Sequence, residues 1–158
     1  MKPTGQQLSE GDGAPDFQLE SSSGKPVRLS SLRGSQVVLY FYPADDTSGC
    51  TKEACAFRDN LPKFERLDAV VLGVSRDSLE SHRDFIGKYS LNFTLLSDED
   101  LAVHRLYGTW QLKNMYGRKY WGTERSTFVI DSQGKIKKIF RKVKVDGHET
   151  DVLQALKG

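Results

Sequence analysis

Two short apolar runs, each followed by a stretch with helical spacing, constrain this fold more than any other feature of the chain. Residues 37–42 and Ala69–Ser75 are rich in β-branched and aromatic side chains, and their apolar character is continuous rather than alternating. Such runs are typical of strands that are covered on both faces of a sheet. The segments that follow, residues 51–67 and 78–89, place apolar side chains at helical intervals. This order predicts an α/β protein.

The rest of the chain continues the same pattern. Further strands are predicted at residues 93–96, 127–130 and 135–145, and further helices at 101–106 and 149–157. The last two strands form a hairpin, so the final strand should be antiparallel to its neighbour. We therefore predict a thioredoxin-like fold, with a central mixed β-sheet flanked by helices. An N-terminal β-hairpin extension is expected at residues 17–19 and 27–29, and Pro62 should kink or break the helix that contains it.

Length and charge restrict the class of protein. The 158 residues suggest a single domain that spans positions 1–158. The formal net charge of +2 gives no reason to expect nucleic acid or a membrane as a partner. We interpret the basic run at residues 135–144 as an exposed strand with charged outer positions. The polar start at residues 1–13 lacks the apolar region of a secretory signal, so we expect a cytoplasmic location.

Only two cysteines are present, Cys50 and Cys55, and they are five residues apart. A secreted disulfide scaffold would carry more cysteines, spread along the chain. In a reducing compartment, a close pair is instead catalytic, redox-sensing or metal-binding. A zinc site would need two more ligands, and the sequence has no second cysteine pair. His82, His104 and His148 are scattered along the chain, and we interpret them as surface or capping residues.

Cys50 stands between a predicted buried strand and a predicted helix, and should therefore lie in the first helical turn. Unpaired backbone N–H groups and the positive end of the helix dipole favour a thiolate there, which is the reactive form of cysteine. The same N–H groups could stabilise charge on a peroxide oxygen. Thr47 could cap the turn or orient a peroxide, and Gly49 lets the backbone approach closely. The position of Cys50 therefore suits a nucleophile.

The spacing of the two cysteines restricts how they can react with each other. On a regular helix, residues i and i+5 have Cα atoms about 8.7 Å apart and point about 140° apart around the axis. A disulfide requires roughly 4.4–6.8 Å. If Cys50 and Cys55 form a disulfide in turnover, the first helical turn must therefore unwind. We expect a helix start of low stability that opens locally.

Two other parts of the sequence have more than one interpretation. Arg125 precedes a predicted strand, where an arginine is ordinarily solvated, although a guanidinium near Cys50 would stabilise the thiolate. The stretch from Trp110 to Trp121 is rich in aromatic residues. It could provide a surface for substrate or reductant, but we predict that it belongs to the core.

The motif Pro43-x-x-x-Thr47-x-x-Cys50 is similar to the active-site signature of the peroxiredoxins. A second cysteine at position 55 resembles the bacterioferritin comigratory protein, or peroxiredoxin Q, subfamily. The likeness extends over nearly the whole chain, and its other segments are residues 13–17, 116–117 and 124–131. The chain departs from the pattern at Ser48, where such proteins commonly carry proline.

This resemblance implies a role for each matched residue. Cys50 would be the peroxidatic cysteine and Cys55 the resolving cysteine. Thr47 and Arg125 would be the pair that binds peroxide and activates the thiolate, and Pro43 would shield the site. The implied enzyme is a thiol-dependent peroxidase for hydrogen peroxide and organic hydroperoxides. Its intramolecular disulfide would be reduced by thioredoxin or glutaredoxin, and the enzyme would work as a monomer without metal, haem or flavin.

Two other classes of function remain open at this point. A redox sensor would use the same sulfenic acid and disulfide to change the behaviour of a partner, and would turn over slowly. A general disulfide oxidoreductase would reduce insulin without consuming peroxide. The five-residue spacing differs from the Cys-x-x-Cys of such oxidoreductases.

Overall fold

The computed structural model of the chain describes residues 7–158. Residues 1–6, and with them half of the polar start that we interpreted as lacking a secretory signal, lie outside the described residues. Within residues 7–158, none of the helices is both long enough and apolar enough to cross a membrane. The strands are β1 Gln18–Ser21, β2 Val27–Arg28, β3 Gln36–Phe41, β4 Ala69–Ser75, β5 Thr94–Ser97, β6 Trp110–Met115, β7 Arg118–Thr123, β8 Ser126–Ile130 and β9 Ile136–Phe140. The helices are α1 Ser48–Arg66, α2 Leu79–Tyr89, α3 Ala102–Tyr107 and α4 His148–Lys157.

Seven strands form one mixed sheet in the order β2-β1-β5-β4-β3-β8-β9. Strand β4 is parallel to both β3 and β5, whereas β8 is antiparallel to β3 and to β9. The predicted mixed sheet, its terminal antiparallel strand and the N-terminal β1–β2 hairpin are therefore confirmed. Strand β3 lies inside the sheet, between β4 and β8. The loop and the start of α1 that follow its carboxyl end therefore lie away from the two edge strands.

Both faces of β3 are buried, as its continuous apolar character predicts. Val38 and Tyr40 pack on one face with side chains of α1, α2 and α4. Val37, Leu39 and Phe41 pack on the other face with α3 and the N-terminal segment. The alternation of side chains along the strand sends neighbours to opposite faces, so one short segment organises two core layers.

Pro62 does not break α1, so of the two outcomes predicted for this position, a kink or a break, the break is wrong. The helix continues beyond it to Arg66, and Phe64 is fully buried in the core. A proline lacks the N–H that would bond to the carbonyl four residues earlier, here that of Arg58. The side-chain amide of Asn92 donates to that carbonyl at 3.2 Å. The missing backbone bond is therefore replaced, and burial of the last helical turn holds the helix together.

The end of the final strand also differs from the prediction. The final strand ends at Phe140, five residues before the predicted end at 145. Lys142 adopts a left-handed backbone conformation with a φ of 49°, which interrupts an extended strand.

Strands β6 and β7 were not predicted, and they form a separate two-stranded sheet. Tyr116 and Gly117 make its turn, and both have positive φ, as a two-residue hairpin turn with the twist of the strands requires.

Candidate active site

Cys50 lies at the amino end of α1, as the sequence predicts. The helix begins at Ser48, three residues earlier than expected, so Cys50 is its third residue. The first intrahelical bond runs from the N–H of Thr51 to the carbonyl of Thr47 at 2.8 Å. The N–H groups of Ser48, Gly49 and Cys50 precede that bond and carry the positive end of the helix dipole. They belong to the same helical turn as the side chain of Cys50.

Thr47 is the N-cap residue, but its hydroxyl does not cap the helix. The hydroxyl instead donates to the carbonyl of Ala44 at 2.9 Å, which closes the loop on itself. Of the two roles expected for Thr47, capping the turn is therefore wrong, and the residue is exposed to solvent. Ser48 occupies the first helical position, which proline also tolerates because its missing N–H has no intrahelical partner there. Pro43 is half-buried at the start of the same loop.

The guanidinium of Arg125 joins Cys50 to a second residue of α1. Its Nη2 lies 3.4 Å from the Sγ of Cys50, and its Nη1 donates to the Oε1 of Glu53 at 2.7 Å. The side chains of Arg125 and Glu53 are 16% and 2% exposed. Glu53 follows Cys50 by three residues, so both project from the same side of the helix. The structure thus brings Arg125 to the cysteine, where its planar fork holds a carboxylate and a sulfur together.

Burial changes the ionisation of this group of residues. It raises the pKa of Glu53 to about 7, and the nearby charge of Arg125 only partly offsets that effect. For Arg125, burial acts to lower the pKa, but the charges of Glu53 and Cys50 outweigh it and leave the pKa raised. The Oε2 atom of Glu53 is buried and accepts no hydrogen bond from the described residues. The guanidinium is therefore charged, while the carboxylate beside it is only weakly stabilised.

Gly49 has a specific steric role at this site. A Cβ added at this position would lie 3.2 Å from Nη2 of Arg125, the same nitrogen that contacts Cys50. That separation is tighter than ordinary van der Waals contact. The absence of a side chain at Gly49 therefore lets the guanidinium approach the start of α1, in agreement with the close approach expected from the sequence.

Cys50 and Cys55 are both free thiols on an unbroken helix. Cys50 is only 2% exposed, whereas Cys55 is partly exposed. Because both residues lie on one regular helix, their Cα atoms are too far apart for a disulfide while the chain is folded in this way. Any disulfide between them therefore requires the start of α1 to change conformation.

A network that sequence reasoning missed anchors the loop between β3 and α1. Asp45 accepts a hydrogen bond from the hydroxyl of Tyr42 at 2.5 Å, and its Oδ2 lies 2.7 Å from Nδ1 of His82. Nε2 of His82 faces the carbonyl of Leu96 at 2.9 Å and must donate to it. If Nε2 carries the only ring proton, Nδ1 is an acceptor, and the carboxylate oxygen of Asp45 is an acceptor as well. Two acceptors do not bond to each other, so their contact requires a proton between them. The backbone N–H of Asp45 donates to Asp77 at 2.8 Å.

The same three side chains, Asp45, Asp77 and His82, place their ligand atoms within 4.8 Å of one another. Their contacts are nevertheless those of a hydrogen-bond network, because Asp77 already accepts from the backbone of Asp45 and from the hydroxyl of Ser75. The separation of 2.7 Å between Asp45 and His82 is a hydrogen-bond distance, shorter than two ligands of one metal ion adopt.

All three histidines are buried, so their interpretation as surface or capping residues is wrong. His82 and His104 are fully buried and His148 is 4% exposed. His104 bonds through Nδ1 to Asp98 and through Nε2 to Thr123, while Nε2 of His148 bonds to Thr127 at 2.8 Å. Burial lowers the pKa of His148 to about 4, which keeps its ring neutral. Each histidine connects separate elements, a role that one sequence without its partners does not reveal.

The aromatic stretch around β6 and β7 is largely outside the core, which contradicts the sequence prediction. Trp121 is 59% exposed. Trp110 is half-buried at the base of the hairpin, where its ring packs against His104 and under the guanidinium of Arg76. Tyr116 is fully exposed at the turn. The alternation of apolar and polar residues along the two strands and the Tyr-Gly turn could have identified the hairpin. Its exposure, however, depends on which elements pack against it.

Comparison with known proteins gives a consistent result. The sequence profile of the AhpC/TSA family matches residues 11–139. Peroxiredoxin Bcp of Bacillus subtilis strain 168 is 48% identical over 147 residues, which cover 93% of this chain and 94% of that protein. The likeness thus includes every residue of the candidate site.

Solved structures agree in fold as well as in sequence. A mutant of peroxiredoxin Q from Xylella fastidiosa has a TM-score of 0.91 and 39% identity, over 97% of this chain and 98% of that chain. The bacterioferritin comigratory protein of Xanthomonas campestris has a TM-score of 0.85 and 44% identity, over 89% and 90% of the two chains. That structure is of a trapped intermediate/ligand complex and concerns the protein's alkyl peroxide reduction activity. These likenesses confirm the thioredoxin-like fold that the sequence predicts.

Proposed function

Because this chain belongs to the AhpC/TSA family, in the bacterioferritin comigratory protein or peroxiredoxin Q subfamily, we propose that it reduces hydrogen peroxide and organic hydroperoxides through Cys50. The chain is a peroxidase of the oxidoreductase class. One observation carries the assignment of the nucleophile, namely the contact of 3.4 Å between Nη2 of Arg125 and Sγ of Cys50 at the start of α1. A cation and unpaired N–H groups stabilise a thiolate in the same place.

The first step is a two-electron oxidation of sulfur. The Cys50 thiolate attacks the outer oxygen of ROOH, so an S–O bond forms while the O–O bond breaks. The cysteine becomes a sulfenic acid, and the leaving alkoxide takes a proton to become an alcohol, or water when the substrate is hydrogen peroxide. The Arg125 guanidinium and the N–H groups at the helix start stabilise the charge on the reacting oxygens. Thr47 and Pro43 border this space, the first to orient peroxide and the second to shield the sulfenic acid.

The second step joins the two cysteines. The Cys55 thiol condenses with the Cys50 sulfenic acid, an S–S bond forms, and water leaves. The first turn of α1 must unwind, because the intact helix holds the two Cα atoms about 8.7 Å apart. The hydroxyl of Thr47 bonds to the carbonyl of Ala44 and not to the helix, and this supports the proposal, since a helix without a side-chain cap is less stable by about 1 kcal/mol.

The third step returns the enzyme to its reduced form. An external dithiol, thioredoxin or glutaredoxin, exchanges with the Cys50–Cys55 disulfide and is itself oxidised. Both cysteines belong to one chain, so a monomer suffices for the cycle. We place the protein in the cytoplasm, where such reductants keep thiols available.

Rapid mixing of reduced protein with one equivalent of hydrogen peroxide tests the proposal. The wild type should lose two thiols within seconds and should lose two hydrogens by mass. Cys55→Ser should stop at a sulfenic acid, and Cys50→Ser should not react. A wild-type protein that reacts no faster than a free thiol would rule out an activated Cys50. Reduction of insulin by the protein, without peroxide consumption, would instead favour a dithiol oxidoreductase.

A further inference from the structure

The hairpin of β6 and β7 concentrates exposed apolar residues to an unusual degree. Among residues 7–158, the exposed large hydrophobic side chains other than Leu106 all belong to this hairpin. We call this set the hairpin patch, and its members are Leu112, Met115, Tyr116, Tyr120 and Trp121. Single exposed apolar residues are common on proteins, but several concentrated on the two faces of one short hairpin mark an element that binds something.

The hairpin is also basic. Residues 110–123 contain Lys113, Arg118 and Lys119, but neither aspartate nor glutamate. The net charge of the whole chain, only +2, hides this local excess. Aromatic residues, methionine and arginine are the types enriched in protein interfaces. The surface therefore complements a partner that is apolar and acidic.

The register of the hairpin places apolar and basic groups on both of its faces. Leu112 and Trp121 are directly opposite each other and share one face with the neighbouring pair that contains Lys119. Tyr120 pairs with Lys113 on the other face. An element that lies on a membrane separates its apolar side from its charged side, which this ribbon does not do. The mixture favours a protein partner.

The hairpin is tied to the active site at its base. The N–H of Glu124 donates to the carbonyl of Thr109 at 2.7 Å, and the next residue is Arg125, which contacts Cys50. Burial lowers the pKa of Lys113, and the charge of Arg125 adds to that effect while Glu124 and Cys50 oppose it. The ammonium group therefore lies within electrostatic range of both active-site residues. A protein bound at the base of the hairpin would therefore lie close to Arg125, which contacts Cys50.

We propose that the hairpin patch is the docking surface for the dithiol protein that reduces the Cys50–Cys55 disulfide, and that this partner presents an apolar surface bordered by carboxylates. The inference rests on the proposed function, because it names the partner of the same site. Redox partners meet through small, transient interfaces, which suits a short ribbon. Trp121 is the expected anchor, since tryptophan dominates the binding energy of many interfaces.

The test separates the two halves of the catalytic cycle. The variant Leu112→Ser/Trp121→Ser removes one face of the patch, and Leu106→Ser is the control, since Leu106 is exposed but lies outside the hairpin. The rate of Cys50 oxidation by hydrogen peroxide, and the rate of disulfide reduction by dithiothreitol, should each change less than twofold. The kcat/KM for a bacterial thioredoxin or glutaredoxin should fall at least tenfold in Leu112→Ser/Trp121→Ser and should not change in Leu106→Ser. Arg118→Glu/Lys119→Glu should also lower it, and should weaken its dependence on salt.

Several results would overturn the inference. Equal kcat/KM for the protein reductant in wild type and double variant would exclude docking at the patch. A parallel fall in all three rates would show that the hairpin serves the active site itself. Wild-type binding to phosphatidylglycerol vesicles that the double variant loses, with reductant kinetics unchanged, would make the patch a membrane contact. A wild type that consumes no peroxide would overturn the proposed function, and the docking role with it.

Discussion

Nη2 of Arg125 lies 3.4 Å from Sγ of Cys50, although 75 residues separate them in the chain. The other terminal nitrogen of the same guanidinium holds Glu53 at 2.7 Å. A single planar cation therefore contacts both Cys50 and Glu53 on α1, and the local chemistry of Cys50 depends on the residue that precedes β8 in the other half of the chain.

Replacement of Arg125 by lysine should slow the reaction with peroxide. A lysine keeps the charge but cannot hold Glu53 and Cys50 with two nitrogens in one plane. Charge-assisted hydrogen bonds contribute about 1.5–3 kcal/mol, so kcat/KM for hydrogen peroxide should fall by about 10- to 100-fold. Stopped-flow kinetics would measure this. Arg141→Lys is the control, because among residues 7–158 the hydrogen bonds of Arg141 go to backbone carbonyls in α3 and its C-cap. Equal rates for Arg125→Lys and wild type would contradict the role of the guanidinium.

Glu53→Gln should change how stability depends on pH. The folded carboxyl has a pKa of about 7 and its ordinary value is 4.5, so between these values the folded chain keeps a proton that the unfolded chain has lost. The stability from that proton is present below about pH 4.5 and is lost as the pH rises through about 7. The free energy of unfolding of the wild type should therefore fall relative to that of the variant over this range. Urea unfolding of reduced protein at several pH values measures it.

The control for that experiment is Glu65→Gln, on the exposed side of the same helix. Its pH curve should run parallel to that of the wild type. Parallel curves for Glu53→Gln and wild type would mean that Glu53 does not carry a proton in the folded protein near neutral pH.

Gly49→Ala should separate stability from activity. Alanine stabilises a helix by about 0.5–1 kcal/mol relative to glycine, but the new Cβ would lie 3.2 Å from Nη2 of Arg125. We expect a higher Tm together with a peroxide reaction that is about threefold to tenfold slower, because the guanidinium must shift. Gly87→Ala is a matched control in α2, where a Cβ meets nothing within 4 Å. It should raise the Tm without any change in rate.

His82→Ala should reduce both stability and the rate of Cys50 oxidation. The variant removes the hydrogen bonds that His82 makes to the buried carboxylate of Asp45 and to the carbonyl of Leu96, which costs about 3 kcal/mol. The loop that leads to Cys50 loses its anchor, so the peroxide reaction should also slow. Tyr107→Phe loses a buried bond to the carbonyl of Pro15 on the opposite face of the sheet. It should lower the Tm without slowing the reaction, and a rate in His82→Ala equal to wild type would exclude the anchoring role.

Local sequence was sufficient to predict most of the fold. The runs in β3 and β4 are continuous and apolar, so they identify buried strands, and Ser78 was predicted as the start of a helix that it in fact caps. The predictions failed where a distant residue decides the outcome. Pro62 stays within a helix because Asn92 replaces the lost bond, and β6 and β7 pair with each other instead of joining the large sheet.

The sequence by itself determined where the reactive cysteine lies, because a strand, a loop and a helix that are consecutive in the chain place Cys50 at a helix start. It also determined that Cys55 cannot reach Cys50 on an intact helix, since that follows from helix geometry. Only the tertiary structure decided which cation contacts the sulfur. The contact of Arg125 with Cys50 and the proton held between Asp45 and His82 arise when strands and helices distant in sequence pack together, and no local pattern records such a contact.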